Sequence, residues 1–148
     1  QAQELSESGG VGMPVRIFIA DDDYTIRQLL KRLLEGHRSD WAVCGEADNG
    51  RDAVNLISEL CPDVAILDLA MPRMTGLQAA QELSGMHPRV PMLLVSVQQV
   101  TKQLEDAARQ AGFRGAIVKS SGSEVVKGVE ALLRNQRFFV FDDSRAIA

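Results

Sequence analysis

The chain has 148 residues, of which 45% are hydrophobic and 24% charged, with a formal net charge of −4. That size and composition suit one domain able to bury its own core, with no need of disulfides or a structural metal. No apolar run approaches the roughly 20 residues of a membrane span, and no lysine or arginine cluster is long enough to hold nucleic acid by itself. The two cysteines, Cys44 and Cys61, have no histidine or second cysteine nearby. They fit a reducing compartment such as the cytoplasm, where each reads as a small buried hydrophobe.

Residues 1–12 are polar and rich in Gly and Ser, with no basic flank and no apolar core. They are therefore no secretory signal and read as a disordered arm or a cloning remnant ahead of Met13. Val15 to Ala20 is a compact β-rich run that stops at three aspartates, Asp21, Asp22 and Asp23. Ile26, Leu29, Leu30, Leu33 and Leu34 then recur at helical spacing up to Gly36. Trp41 to Gly45 is a second short strand. Ala53, Val54, Ile57 and Leu60 mark a helix stopped by Cys61-Pro62.

Val64 to Leu67 forms a third apolar run, ending at Asp68, and a loop with Met71-Pro72 and Thr75-Gly76 leads into a helix that closes near Gly85. Met92 to Val95 ends at Ser96. Thr101 to Ala111 reads as a helix closed by Gly112. Ala116 to Val118 ends at Lys119, and Val125, Val126, Val129, Leu132 and Leu133 give a final helix. The domain so read spans residues 13–135. Residues 136–148 are a tail, or the start of a linker to an output domain lying elsewhere.

Five strands alternating with five helices, each strand apolar on both faces, indicate an α/β fold with a parallel sheet covered on both sides. Right-handed crossovers favour a doubly wound five-stranded sheet, expected in the order 2-1-3-4-5, with two helices on one face and three on the other. Ligands of such sheets bind beyond the carboxyl ends of the strands. Polar residues stand at four of those ends: Asp21 to Asp23, Asp68, Ser96 and Lys119.

Each of these residues has an ordinary explanation by itself. An Asp after a strand is commonly a turn or helix-cap residue, and a lone Lys or Ser is ordinary surface. Four strand ends bearing complementary groups in one crevice point instead to a site. Crowded carboxylates repel one another unless a cation lies among them, and Mg²⁺, with one or two carboxylates and several waters, suits that role. A carboxylate can also accept a phosphoryl group. A metal, a lysine and a hydroxyl can then balance the charge on its oxygens.

The blocks Ile17 to Asp22, Asp63 to Leu77, Val95-Ser96 and Gly115 to Lys119 resemble, in order and spacing, the signature of response-regulator receiver domains of two-component systems. The stretches Gly45 to Gly50, Val95 to Val97 and Arg137 to Phe139 resemble the NarL/FixJ (LuxR-type) subfamily. The resemblance implies a flavodoxin-like fold and a switch that is not an enzyme. It implies a phosphoacceptor at Asp68, supplied by a sensor histidine kinase. It implies Mg²⁺ (or Mn²⁺) bound by Asp22 and Asp68, with Asp21 acting through water and Ala70 through its backbone carbonyl. Ser96 and Lys119 would bind the phosphoryl oxygens, and Asp23 is left as a helix cap. Partners implied are the kinase, a second copy on phosphorylation, and DNA only through a separate output domain, with no membrane contact.

Two positions depart from the pattern. Many receivers carry a switch aromatic three residues before the lysine, and here that residue is Ala116. The signal is therefore expected to leave through the segment from Ser96 to Thr101 and the helix after it. Ala70 stands where relatives often have a longer polar side chain, which leaves the lifetime of the phosphorylated form open. An aspartate-nucleophile phosphatase of the haloacid-dehalogenase kind would need a second acid at that same position. A phosphorylation-independent module would be expected to lack Asp68, Lys119 or the acidic pair.

Overall fold

The computed structural model describes residues 13–118 and 122–139. In chain order the elements are β1 (Val15–Ala20), α1 (Tyr24–His37), β2 (Trp41–Ala47), α2 (Gly50–Leu60), β3 (Val64–Asp68), α3 (Gly76–Met86), β4 (Met92–Ser96), α4 (Lys102–Ala111), β5 (Gly115–Val118), α5 (Gly122–Leu133) and β6 (Phe138–Phe139). The strands form one parallel sheet in the order β2-β1-β3-β4-β5-β6. The expected doubly wound order is present, and to it is added a sixth, two-residue strand at the β5 edge.

That extra strand corrects the expectation of five, and its origin is local. Asn135 adopts a left-handed conformation at φ 61°. Its amide donates to the Leu132 carbonyl, and the Gln136 amide donates to the Ala131 carbonyl. Those two bonds are the Schellman pattern, with Asn135 at the position glycine usually takes. The helix is stopped and the chain is turned back along β5, where Phe138 pairs with Gly115 and Phe139 with Ala116.

Every residue of β3 and β4 is buried, as befits central strands of a sheet covered on both faces. One face is covered by α1 and α5, whose Leu30, Leu34, Val125, Val129 and Leu132 pack on Ile17, Ile19, Ile66, Leu93 and Ile117. The other is covered by α2, α3 and α4 through Val54, Ile57, Ala79, Leu83 and Ala108, packed on Phe18, Ala65, Leu67 and Leu94. Burying one Ile or Leu side chain fully contributes about 1.5–3 kcal/mol, so these two layers dominate the stability. The apolar stripe read for α1 is wider than its core face, because Leu29 and Leu33 lie on the surface.

Helix ends follow the sequence signals. Thr75 and Gln78 form a reciprocal capping box at α3, and Thr101 caps α4. Gly112 ends α4 at φ 103°, a conformation that costs glycine nothing. The cysteines depart from the expectation of two buried hydrophobes. Cys44 is half-buried, the extra residue of a bulge between the pairs Ile17–Val43 and Phe18–Gly45. Cys61 is exposed, at the left-handed end of α2.

Candidate functional site

The sheet delivers its first three acids to one place. β1 ends at Ala20, so Asp21 and Asp22 project beyond its carboxyl end, and β3 ends on Asp68 itself. Because β1 and β3 are hydrogen-bonded neighbours, with Ala20 opposite Leu67, these ends lie side by side. Oxygens of Asp21, Asp22 and Asp68 all come within 4.8 Å of one another. Asp21 is 1% exposed and Asp68 5%, whereas Asp22 is open to solvent. Three carboxylates gathered this closely, two of them out of water, call for a positive charge among them.

The fourth aspartate does different work. Asp23 accepts hydrogen bonds from the Thr25 amide at 2.9 Å and the Ile26 amide at 3.3 Å, capping α1 as its place before a helix suggested. Its own amide donates to Oδ1 of Asp21 at 2.9 Å, which helps orient that carboxylate.

Asp68 is fixed from below by the loop just after it. The Leu69 amide donates to the Val95 carbonyl, and the Gly76 amide donates to the Leu69 carbonyl. A side chain at Gly76 would collide with the Asp68 carbonyl, so glycine is what lets the start of α3 close over the end of β3. Ala70 lies exposed in this loop.

Ser96 ends β4 one residue beyond Val95, which is paired with Asp68. It is 1% exposed, and its Oγ accepts from the Gln98 amide at 3.0 Å. That bond uses an acceptor lone pair and leaves the hydroxyl proton to be donated. Ser96 is paired in turn with Val118, the residue before Lys119. Lys119 itself lies outside the described residues. Ala116 is fully buried on the face carrying α4, in register with Phe139.

Two residues at the site escaped the sequence reading. Arg27 donates from one guanidinium nitrogen to the Asp21 carbonyl at 2.7 Å, and from Nε to Glu46 at 3.0 Å. Glu46, on β2, also accepts from the side chain of Gln28 at 3.1 Å. A signal was available in the sequence. Arg27 stands four residues after the cap of α1, near a helix end whose partial charge is positive, and a cation there needs an acidic partner.

The comparisons agree with this geometry. The family model for the response regulator receiver domain matches residues 17–130. The chain belongs to the response regulator receiver domain family. It is 32% identical over 111 residues to the transcriptional regulatory protein YdfI of Bacillus subtilis, covering 75% of this chain and 51% of that protein. With the chemotaxis protein CheY of Thermotoga maritima it shares 34% identity over 107 residues, 72% of this chain and 87% of CheY. The signal receiver domain of NarL from Mycobacterium tuberculosis superposes with a TM-score of 0.78 at 32% identity, covering 84% of this chain and all of that domain. The receiver thus spans about half the length of YdfI, and solved structures similar to it include NarL and LuxR-type regulators. As a response regulator receiver it acts in two-component signalling, where receivers are phosphoacceptor switches. Among the described residues no helix is long and apolar enough to cross a membrane.

Proposed function

We propose that Asp68 is the phosphoacceptor of this receiver and that a divalent cation, Mg²⁺ or Mn²⁺, is held beside it. The observation that carries this reading is the acidic cluster: Asp68, 5% exposed, within 4.8 Å of Asp21 and Asp22 at adjoining strand ends. The donors are hard oxygens in a spread of the size of one cation's shell, which is what Mg²⁺ and Mn²⁺ select. Asp22, Asp68 and the Ala70 carbonyl would bind it directly, and Asp21 through water. The cation would supply positive charge to the phosphoryl oxygens during transfer.

The chain's own groups supply the rest. A carboxylate oxygen of Asp68 forms the new bond to phosphorus as the bond to the donor breaks. The donor is a phosphohistidine of a sensor kinase, which keeps the nitrogen electron pair, or acetyl phosphate, which leaves as acetate. Ser96 donates its proton to one phosphoryl oxygen, and Lys119, one residue beyond the described end of β5, pairs with another. With no acid two residues beyond Asp68, nothing there can act as the general acid of a phosphatase, which supports a stoichiometric switch over an enzyme.

The output is proposed to run through α4. Ser96 leads into the segment ending at Thr101, which caps that helix, and Ala116 offers no ring to swing inward. Residues 13–135 would form the receiver, and residues 136–148 would begin the connection to a DNA-binding output domain in a cytoplasmic transcription regulator. Pairing of two copies upon phosphorylation belongs to the same reading.

Incubation with acetyl phosphate and Mg²⁺ is expected to add the mass of one phosphoryl group. The gain should vanish with EDTA and in Asp68→Asn, and fall at least tenfold in Lys119→Ala, which loses a charge-assisted bond to the transferring group. A full gain in Asp68→Asn would refute the assignment.

A further inference from the structure

We infer that Arg27 is a positioning residue for the acidic pocket, bracing the peptide that joins Asp21 to Asp22 against β2. The inference rests on the reading of that pocket as a cation site. The carbonyl that Arg27 holds at 2.7 Å is that of Asp21, so it belongs to the peptide unit between the two acids. Fixing that carbonyl fixes the plane of the peptide, and with it the direction in which Asp22 leaves the backbone. The Asp21 amide is held as well, donating to the Ala47 carbonyl at 3.0 Å. Asp21 is thus tied through both backbone groups to neighbours on β2 and α1, and through Oδ1 to the Asp23 amide.

The brace is anchored at its far end. Glu46 takes Nε of Arg27 at 3.0 Å and Gln28 at 3.1 Å on the same oxygen. Side-chain exposure is 14% for Arg27 and 26% for Glu46, so water competes weakly for either partner. A planar guanidinium can serve a carbonyl and a carboxylate at once in fixed directions, which a lysine ammonium cannot do from the same stem. The other face of Arg27 lies toward Tyr24, with the guanidinium carbon 5.4 Å from the ring centre. Nε, one terminal nitrogen and one face of the guanidinium are therefore each engaged in holding it in place.

A counter-charge role makes the opposite forecast. If Arg27 merely offset the carboxylates, removing its charge would leave the pocket more negative, and a divalent cation would bind more tightly. If Arg27 holds the peptide, the same removal lets Asp22 wander and binding weakens. Groups that orient metal ligands from behind typically contribute about 10- to 100-fold in affinity.

The test is a calorimetric Mg²⁺ titration of the parent chain, Arg27→Gln, Arg27→Lys and Glu46→Gln, each first shown to unfold cooperatively. Arg27→Gln is expected to weaken Mg²⁺ about tenfold, Arg27→Lys to recover only part of the loss, and Glu46→Gln to weaken it less than Arg27→Gln. Unchanged or tighter binding in folded Arg27→Gln would overturn the inference. Amide exchange at Asp22 and Asp23 without metal supplies a second readout, expected to quicken in Arg27→Gln and Glu46→Gln while distant amides stay unchanged. Should the parent bind no Mg²⁺, the cation-site reading falls, and unaltered exchange at these two amides would overturn the brace independently. If Arg27→Gln does not fold, Glu46→Gln decides both measurements.

Discussion

Four aspartates of one chemical type stand in four different settings here, and only their surroundings separate them. Asp21 is buried and hydrogen-bonded through its main chain and side chain, Asp22 is exposed, Asp23 caps α1, and Asp68 sits buried at the end of a central strand. The two thiols divide in the same way. Burial pushes the Cys44 thiol above its ordinary value, an effect the nearby Arg16 only partly offsets. Cys61 is exposed. Iodoacetamide at mildly alkaline pH is expected to label Cys61 first and Cys44 several-fold more slowly, since the thiolate is the reacting form. Peptide mapping checks the order; faster labelling of Cys44 would contradict its placement. The same shift sets the sign for stability. A thiol raised in the folded state leaves stability intact below the ordinary thiol value and diminishes it as pH rises through the alkaline range. Strand-end aspartates, Ser96 and the cap at Asp23 were legible in the sequence because each adjoins an apolar run or a helix start. Arg27 was legible only as a cation near a helix start; its partner Glu46 and the exposure of Cys61 were not, since they depend on which residue of β2 comes alongside and on how α2 ends.

Among the elements, the five alternating strands and helices were readable because their hydrophobic periods differ and Pro or Gly punctuates them. β6 was not readable. Two aromatic residues ahead of a polar stretch carry no period, and their pairing depends on a turn set by Asn135. Once formed, the strand is tied to α4. The Arg109 guanidinium lies 3.9 Å from the centre of the Phe139 ring, and Arg109 also bonds Glu105 at 2.8 Å. That contact places the chain beyond α5 in touch with the helix proposed to carry the signal. Asn135→Ala is expected to destabilise the fold by about 1 kcal/mol, because alanine tolerates a left-handed backbone poorly. Asn135→Gly should cost little. Urea denaturation of both variants checks this, and equal loss in the two would show that the side chain, rather than the backbone conformation, is what matters.

Across the whole molecule, the sheet order turns residues 47 positions apart in sequence, Asp21 and Asp68, into neighbours on adjacent strand ends. The fold and the acids were legible together because strand ends in a doubly wound sheet converge whatever the loops do. The most direct test is to find where the phosphoryl group goes. After treatment with acetyl phosphate and Mg²⁺, borohydride reduces an aspartyl phosphate to homoserine, and tandem mass spectrometry then locates the altered residue. The expected result is homoserine at position 68 alone, lost when either the cation or the phosphodonor is left out. Reduction at position 21 or 22, or a stable phosphoryl group on a serine or threonine with position 68 unmodified, would contradict it.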